Sequence, residues 1–176
     1  RTFHDISDYI TINISSPNTE NLRDFHDQIK LKELISSIEL EKKKLKSKTP
    51  IVVKISPDIS KEQATQISQI LLKHEIKGII VSNTTEGNRK KLQSTSKHQK
   101  GGLSGKPLET ISNQLINIFY NLLKGKIEII GVGGVDSGRS AYDKFLAGAN
   151  FIQLYTGMVY QGPNIVAKIK KELKEL

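Results

Sequence analysis

The sequence predicts an α/β protein built on a parallel sheet, from three observations. Five short runs rich in β-branched residues are nearly continuous in apolar character, as strands covered on both faces must be. Segments with apolar residues at helical spacing lie between them. The resulting order, strand then helix five times over, calls for right-handed crossovers between parallel neighbours. A doubly wound open sheet would be complete at 176 residues. A (β/α)8 barrel ordinarily takes about 250 residues and would lack three units here. Length favours the open sheet, and the placement of polar residues favours the barrel.

The first strand is YITINI (residues 9–14), followed by a segment where Leu31, Leu34, Ile35 and Ile38 form one apolar stripe. PIVVKI (50–55) is the second, and Ser60 with Gln63 makes a capping box for the helix carrying Ala64, Ile67 and Leu71. GIIVS (78–82) is the third. The long connection after it, residues 83–107, precedes the helix of Ile111, Leu115, Ile118, Phe119 and Leu122. Its polar tip, residues 86–100, reads as a mobile flap of ordinary surface loop, while Gly101, Gly102, Ser104 and Gly105 return to the sheet's mouth. IEIIGV (127–132) is the fourth strand; the helix with Ala141, Phe145 and Leu146 should stop at Gly148, before NFIQLY (150–155) closes the series.

Lys and Arg outnumber Asp and Glu by 27 to 18, but the runs LEKKKLKSK (40–48) and KIKKELKEL (168–176) keep apolar residues at helical spacing and read as solvated helix faces. With aromatics at 6% and no nucleic-acid module, the charge does not indicate nucleic acid; phosphorylated ligands or an anionic membrane surface fit better. The absence of cysteine excludes a disulfide, a thiolate nucleophile and a zinc–thiolate site, and fits a reducing compartment. No window reaches the roughly 20 apolar residues of a membrane span. The opening RTFHDISDYI has neither a signal-peptide core nor an initiator methionine, so the chain is expected to be an internal piece of something longer.

Asn13, Lys54, Asn83 and Gln153 are polar residues in or just past otherwise apolar strands. Each alone could be a strand-end group with its own partner. An amide, an ammonium and a second amide at matching ends of successive strands are harder to assign to packing, because burial without partners costs a few kcal/mol for a polar group and far more for a charge. In a barrel such positions converge on one mouth. IIGVGGVDSG (129–138) sets Gly133 and Gly134 at a strand end before a helix that Asp136 or Ser137 could cap, and FIQLYTG (151–157) does likewise with Tyr155, Thr156 and Gly157. Glycines let backbone N–H groups approach an anion, and a barrel's phosphate site is commonly built after its last two strands. A phosphate-bearing ligand is therefore expected, with Ser104 and Gly105 touching it.

In order, NISSPNT, VKISPD, VSNTT, GGLSGKPL, IIGVGG and QLYTG resemble the carboxyl-terminal five-eighths of a class 2, quinone-dependent dihydroorotate dehydrogenase, from about Asp8 onward. The resemblance implies one domain over residues 1–176, the last five β/α units of an FMN-binding (β/α)8 barrel. It implies oxidation of dihydroorotate to orotate in pyrimidine biosynthesis, with electrons passed through FMN to quinone. Ser16 would be the base that removes a ring proton, where class 1 enzymes carry cysteine. Asn13, Asn18, Asn83 and Thr84 match groups that hydrogen-bond the substrate, and Asn13 also contacts flavin. Lys54 matches the lysine beside the isoalloxazine and Ser82 a flavin-contacting threonine. Ser104, Gly105, Gly133, Gly134, Tyr155 and Thr156 match residues around the ribityl phosphate; no metal is implied. A serine without His or Asp in its motif is a poor base, so a relay through Thr19 or a water is expected, helped by desolvation under a closed flap.

Asn21 stands where the family usually has glycine, and asparagine tolerates positive φ better than most residues. The family's first three strands and its membrane-directed helical segment have no counterpart in these residues, so the piece alone is expected to have an open barrel edge and little turnover. Localisation would be peripheral, on the cytoplasmic face of a bacterial inner membrane or on the mitochondrial inner membrane. Two other functions fit the residues less closely: another FMN barrel reducing a pyrimidine, and a non-catalytic phosphate-binding half-barrel.

Overall fold

A computed structural model of the chain describes residues 1–87, 89–90 and 92–176. Five parallel strands form one sheet in the order β1 (Ile10–Asn13), β2 (Ile51–Lys54), β3 (Ile76–Val81), β4 (Glu128–Val132), β5 (Phe151–Gln153). A doubly wound sheet must reverse its strand order at a switch point, and this one does not. The helices are α1 (Gln28–Leu45), α2 (Lys61–Lys73), α3 (Glu109–Leu123), α4 (Gly138–Leu146), α5 (Thr156–Gln161) and α6 (Ile165–Glu172). Each packs on its neighbour, α1 on α2, α2 on α3, α3 on α4 and α4 on α6, as in the outer wall of a (β/α)8 barrel. No helix among the described residues is long and apolar enough to cross a membrane.

Register decides which side chains face where. Val53, Ile79 and Ile129 are aligned and point to the helices, where Leu31, Ile35, Ile67, Leu71, Ile116 and Phe119 complete the main core. Each such fully buried side chain contributes about 1.5–3 kcal/mol. Alternation sends Asn13, Lys54, Ile80, Ile130 and Phe151 to the other, concave side, where Val52, Ile80 and Ile130 form a small second cluster. Curvature is strong. Gln153 Nε2 donates to Tyr9 Oη at 3.2 Å, joining the two edges of the sheet, although four flat inter-strand steps would separate those edges by about 19 Å.

Most expected elements are present with ends shifted by one or two residues. Strand β3 begins two residues earlier than expected, at Ile76, through an irregular register with β2. The Ser60–Gln63 capping box forms with both bonds, and Ser137 rather than Asp136 caps α4. Gly148 takes a φ of 112° just past α4, and Asn21 sits at 59° in the left-handed region. In α4 the expected apolar stripe fails beyond Ala141: Phe145 and Leu146 are 39% and 63% exposed, while Lys144 is fully buried. The helix turns its Ser140–Ala141–Lys144 face inward, and spacing alone cannot tell a buried lysine from a surface one.

The connection after β3 is tied down where it is described. Thr85 and Leu103 exchange backbone hydrogen bonds of 3.1 and 2.7 Å. Arg89 donates to the carbonyls of Lys97, Gln99 and Gly101. The expected flap also includes Asn88 and Lys91, which lie outside the described residues.

Candidate active site

A cleft of about 730 Å³ opens at the carboxyl ends of β2 to β5. From β2 it receives Lys54, and from the end of β3 Ser82, Asn83 and Thr84. The following connection returns Ser104 and Gly105, the β4 loop brings Gly133 and Gly134, and the β5 loop brings Tyr155 and Thr156. Ten of the thirteen residues that the resemblance assigns to the site thus line one cavity. Asn13, Ser16 and Asn18 do not line it and belong to the adjoining β1 loop.

Asn13 is the register partner of Lys54, so alternation puts both on the concave face. Its Oδ1 accepts from Ser15 N (3.2 Å) and Ser15 Oγ (2.5 Å), which folds the chain over the strand end. Asn83 Nδ2 donates to Ser15 O at 2.9 Å, binding this loop to the end of β3. Ser16 is half-buried, and its Oγ accepts from Asn18 N at 3.2 Å. That bond leaves the hydroxyl hydrogen unassigned and favours negative charge on the oxygen. Thr19 makes no hydrogen bond to Ser16 among the described residues.

Lys54 is half-buried, and its ammonium has no hydrogen-bond acceptor or carboxylate partner among the described residues. Burial holds its pKa below the ordinary lysine value. A cation left in this state beside a cleft can meet negative charge that arrives or develops there.

The far wall is built from backbone. Gly105, Gly133 and Gly134 have φ of 75°, 114° and 77°, conformations that favour glycine. A Cβ on Gly134 would lie 2.5 Å from Glu109 Cβ, and one on Gly133 would lie 2.9 Å from Leu108 Cδ2, so side chains are excluded and the turn packs directly on the start of α3. The N–H groups of Gly133 and Gly134 donate to no acceptor among the described residues. Thr156 Oγ1 donates to Ser104 Oγ at 3.0 Å, joining the β5 loop to the returning connection. Unbonded amides flanked by hydroxyls suit a phosphate monoester.

Sequence reasoning assigned nothing to Arg23. Its Nε donates to Ser15 O (3.4 Å) and its NH2 to Thr84 O (3.3 Å), while NH1 pairs with Asp58 (3.2 Å) and Glu86 (2.9 Å). Asp58 also accepts from Thr85 Oγ1 and from Glu86 N at 2.9 Å. Arg23 thus clamps the β1, β2 and β3 loops that carry Ser16 and Thr84. His26, buried beneath, donates from Nδ1 to Arg23 O (2.8 Å) and accepts from Ser56 N at Nε2 (3.1 Å). The LR and SPD stretches contain the clamp's residues, but nothing in them shows that they meet.

The family model for dihydroorotate dehydrogenase matches residues 1–176. Dihydroorotate dehydrogenase (quinone) of Haemophilus ducreyi is 44% identical over 171 residues, covering 95% of this chain and 51% of that protein. The mitochondrial dihydroorotate dehydrogenase (quinone) of Mus musculus is 42% identical over 173 residues, 97% of this chain and 44% of that protein. Ligand-free DHODH from Eimeria tenella superposes with a TM-score of 0.94 at 35% identity, over 98% of this chain and 52% of that one. The chain spans about half the length of the curated relatives it matches.

Proposed function

Because the chain belongs to the dihydroorotate dehydrogenase family, of whose barrel it forms the carboxyl-terminal five β/α units, we propose that it carries the base and phosphate cradle of an enzyme oxidising dihydroorotate to orotate. Electrons pass through FMN to a quinone, in pyrimidine biosynthesis. The observation that supports this most is the convergence on one cleft of a half-buried lysine and glycine amides that have no partner among the described residues. FMN, when bound, supplies the acceptor for hydride from the substrate ring and relays two electrons to quinone.

The chain's residues do the rest. Ser16 Oγ takes the proton from the ring carbon next to the one that gives up hydride while its own hydroxyl proton passes to a water, so that a carbon–carbon double bond forms and two hydrogens leave. The Asn18 N–H on that oxygen steadies it as it acts. Asn13, Asn18, Asn83 and Thr84 offer amide and hydroxyl groups to a planar polar ring, and Lys54 meets negative charge developing beside it. Gly105, Gly133, Gly134, Ser104, Tyr155 and Thr156 would hold the phosphate, and Ser82 would contact the ring system. The quinone partner follows the names of the relatives, and peripheral attachment to a bacterial or mitochondrial inner membrane belongs to the same proposal.

Rapid mixing of FMN-loaded protein with dihydroorotate, without quinone, tests the reading. Ser16→Ala should slow flavin bleaching by about 100-fold or more while orotate binding persists. Bleaching at the unaltered rate would refute the role of Ser16.

A further inference from the structure

Lys144 is 0% exposed, and no other lysine among the described residues is buried. Its Nζ donates to Ser112 Oγ (3.0 Å) and Asn113 Oδ1 (2.8 Å), both on α3, and no carboxylate among the described residues is within ion-pair distance of it. Ser112 is also 0% exposed. Its Oγ lies 2.6 Å from Val132 O and 3.3 Å from Val81 O, and its one hydroxyl hydrogen is best donated over the shorter contact. Val132 is the last residue of β4, directly before the Gly133–Gly134 turn. A Cβ on Gly133 would be 3.4 Å from Ser112 Cβ, and one on Gly131 would be 3.1 Å from Lys144 Cδ, so serine and lysine stem lie immediately behind the turn.

An ammonium placed there without a counter-ion is costly, and an apolar side chain of the same length would fill the space more cheaply. The turn in front of it has unbonded N–H groups and takes anions by its geometry. We propose that Lys144 is the buried counter-charge for a phosphate monoester held on the Gly133–Gly134 turn, with Ser112 as the positioning link between them. This rests on the FMN reading only in that FMN is the phosphate's bearer.

Proton linkage gives the proposal a signature. Burial lowers the Lys144 pKa to about 8, with Glu109 on α3 the one charge among the described residues that opposes the shift. Arg139 and Asp143 on α4 pair with each other, as do Lys168 and Glu172 on α6. A bound dianion stabilises the charged form, so phosphate affinity should be level below the free pKa and fall above it. Lys54 also has a lowered pKa but is assigned to the ring end of the proposed ligand, so riboflavin, which lacks the phosphate, controls for it. Lys106, also at the cleft, is held above its ordinary value by Glu109 and stays charged throughout.

The test is calorimetric titration of the protein and of Lys144→Met with FMN, riboflavin and inorganic phosphate between about pH 7 and 9.5. In the unaltered protein the FMN-to-riboflavin affinity ratio should drop by about tenfold across that range; in Lys144→Met it should start about tenfold lower and stay level. Ser112→Ala should give a smaller loss while retaining the pH dependence. Should Lys144→Met not fold, NMR titration of the lysine ε-carbons in the unaltered protein serves, with FMN and phosphate, but not riboflavin, raising the Lys144 pKa. Identical pH profiles for both proteins, or an unmoved Lys144 titration, overturn the role of Lys144 and leave the flavin reading standing. Lys144-dependent phosphate binding without flavin binding supports the role and removes the flavin reading. Binding of neither FMN nor phosphate overturns both.

Discussion

At the scale of single residues, the site depends on groups beneath the cleft as much as on those lining it. His26 is neutral, because Nε2 must accept from Ser56 N while Nδ1 donates to Arg23 O. Burial holds its pKa below the ordinary 6.5, so the unfolded chain takes up the proton first as pH falls. Its contribution to stability is therefore complete above about pH 6.5 and is lost as pH drops through the lowered folded value. Urea denaturation at pH 7.5 and pH 5 should show a loss of stability that is smaller in His26→Ala, itself less stable at pH 7.5 by about 1–3 kcal/mol. Arg23→Met should be less stable than the parent by a similar 1–3 kcal/mol, because Asp58 and two carbonyls lose a charged donor. Limited proteolysis should then cut the β1 and β3 loops faster.

Elements show why some of the site was readable in advance and some was not. Strands announce themselves by apolar runs, and a polar residue at a strand end stands out against them, which is how Asn13, Lys54 and Asn83 could be singled out. The paired glycines of the β4 loop were equally visible, because a turn that excludes side chains leaves a compositional trace. Lys144 and Arg23 left none: each lies among polar neighbours where a solvated charge is the ordinary expectation, and only the packing of α4 on α3, or of three loops on one guanidinium, turns them inward. The β4 loop also offers the sharpest element-level test. Gly134→Ala forces a residue into φ 77° and a Cβ against Glu109, so FMN affinity should fall by about tenfold or more while circular dichroism shows the helices intact.

Across the five strands of the described residues the decisive feature is an open wall. Among the described residues β1 pairs only with β2 and β5 only with β4, leaving two parallel edges and a concave face that exposes Phe151 at 57%. Tyr155, Val159 and Tyr160 are exposed beside the β5 edge. Such edges and patches recruit other chains. The 176-residue chain made alone should therefore show a sedimenting mass that rises with concentration above that of a single chain, and Phe151→Lys should reduce the rise.

The cradle formed by Gly105, the Gly133–Gly134 turn and Thr156 is assembled from positions spread across the second half of the chain. On a ribosome, none of it can be complete until the fifth strand has emerged. On the proposed reading FMN cannot be held before that point, and the appearance of yellow colour in a translation reaction would time the docking of β5 and its loop.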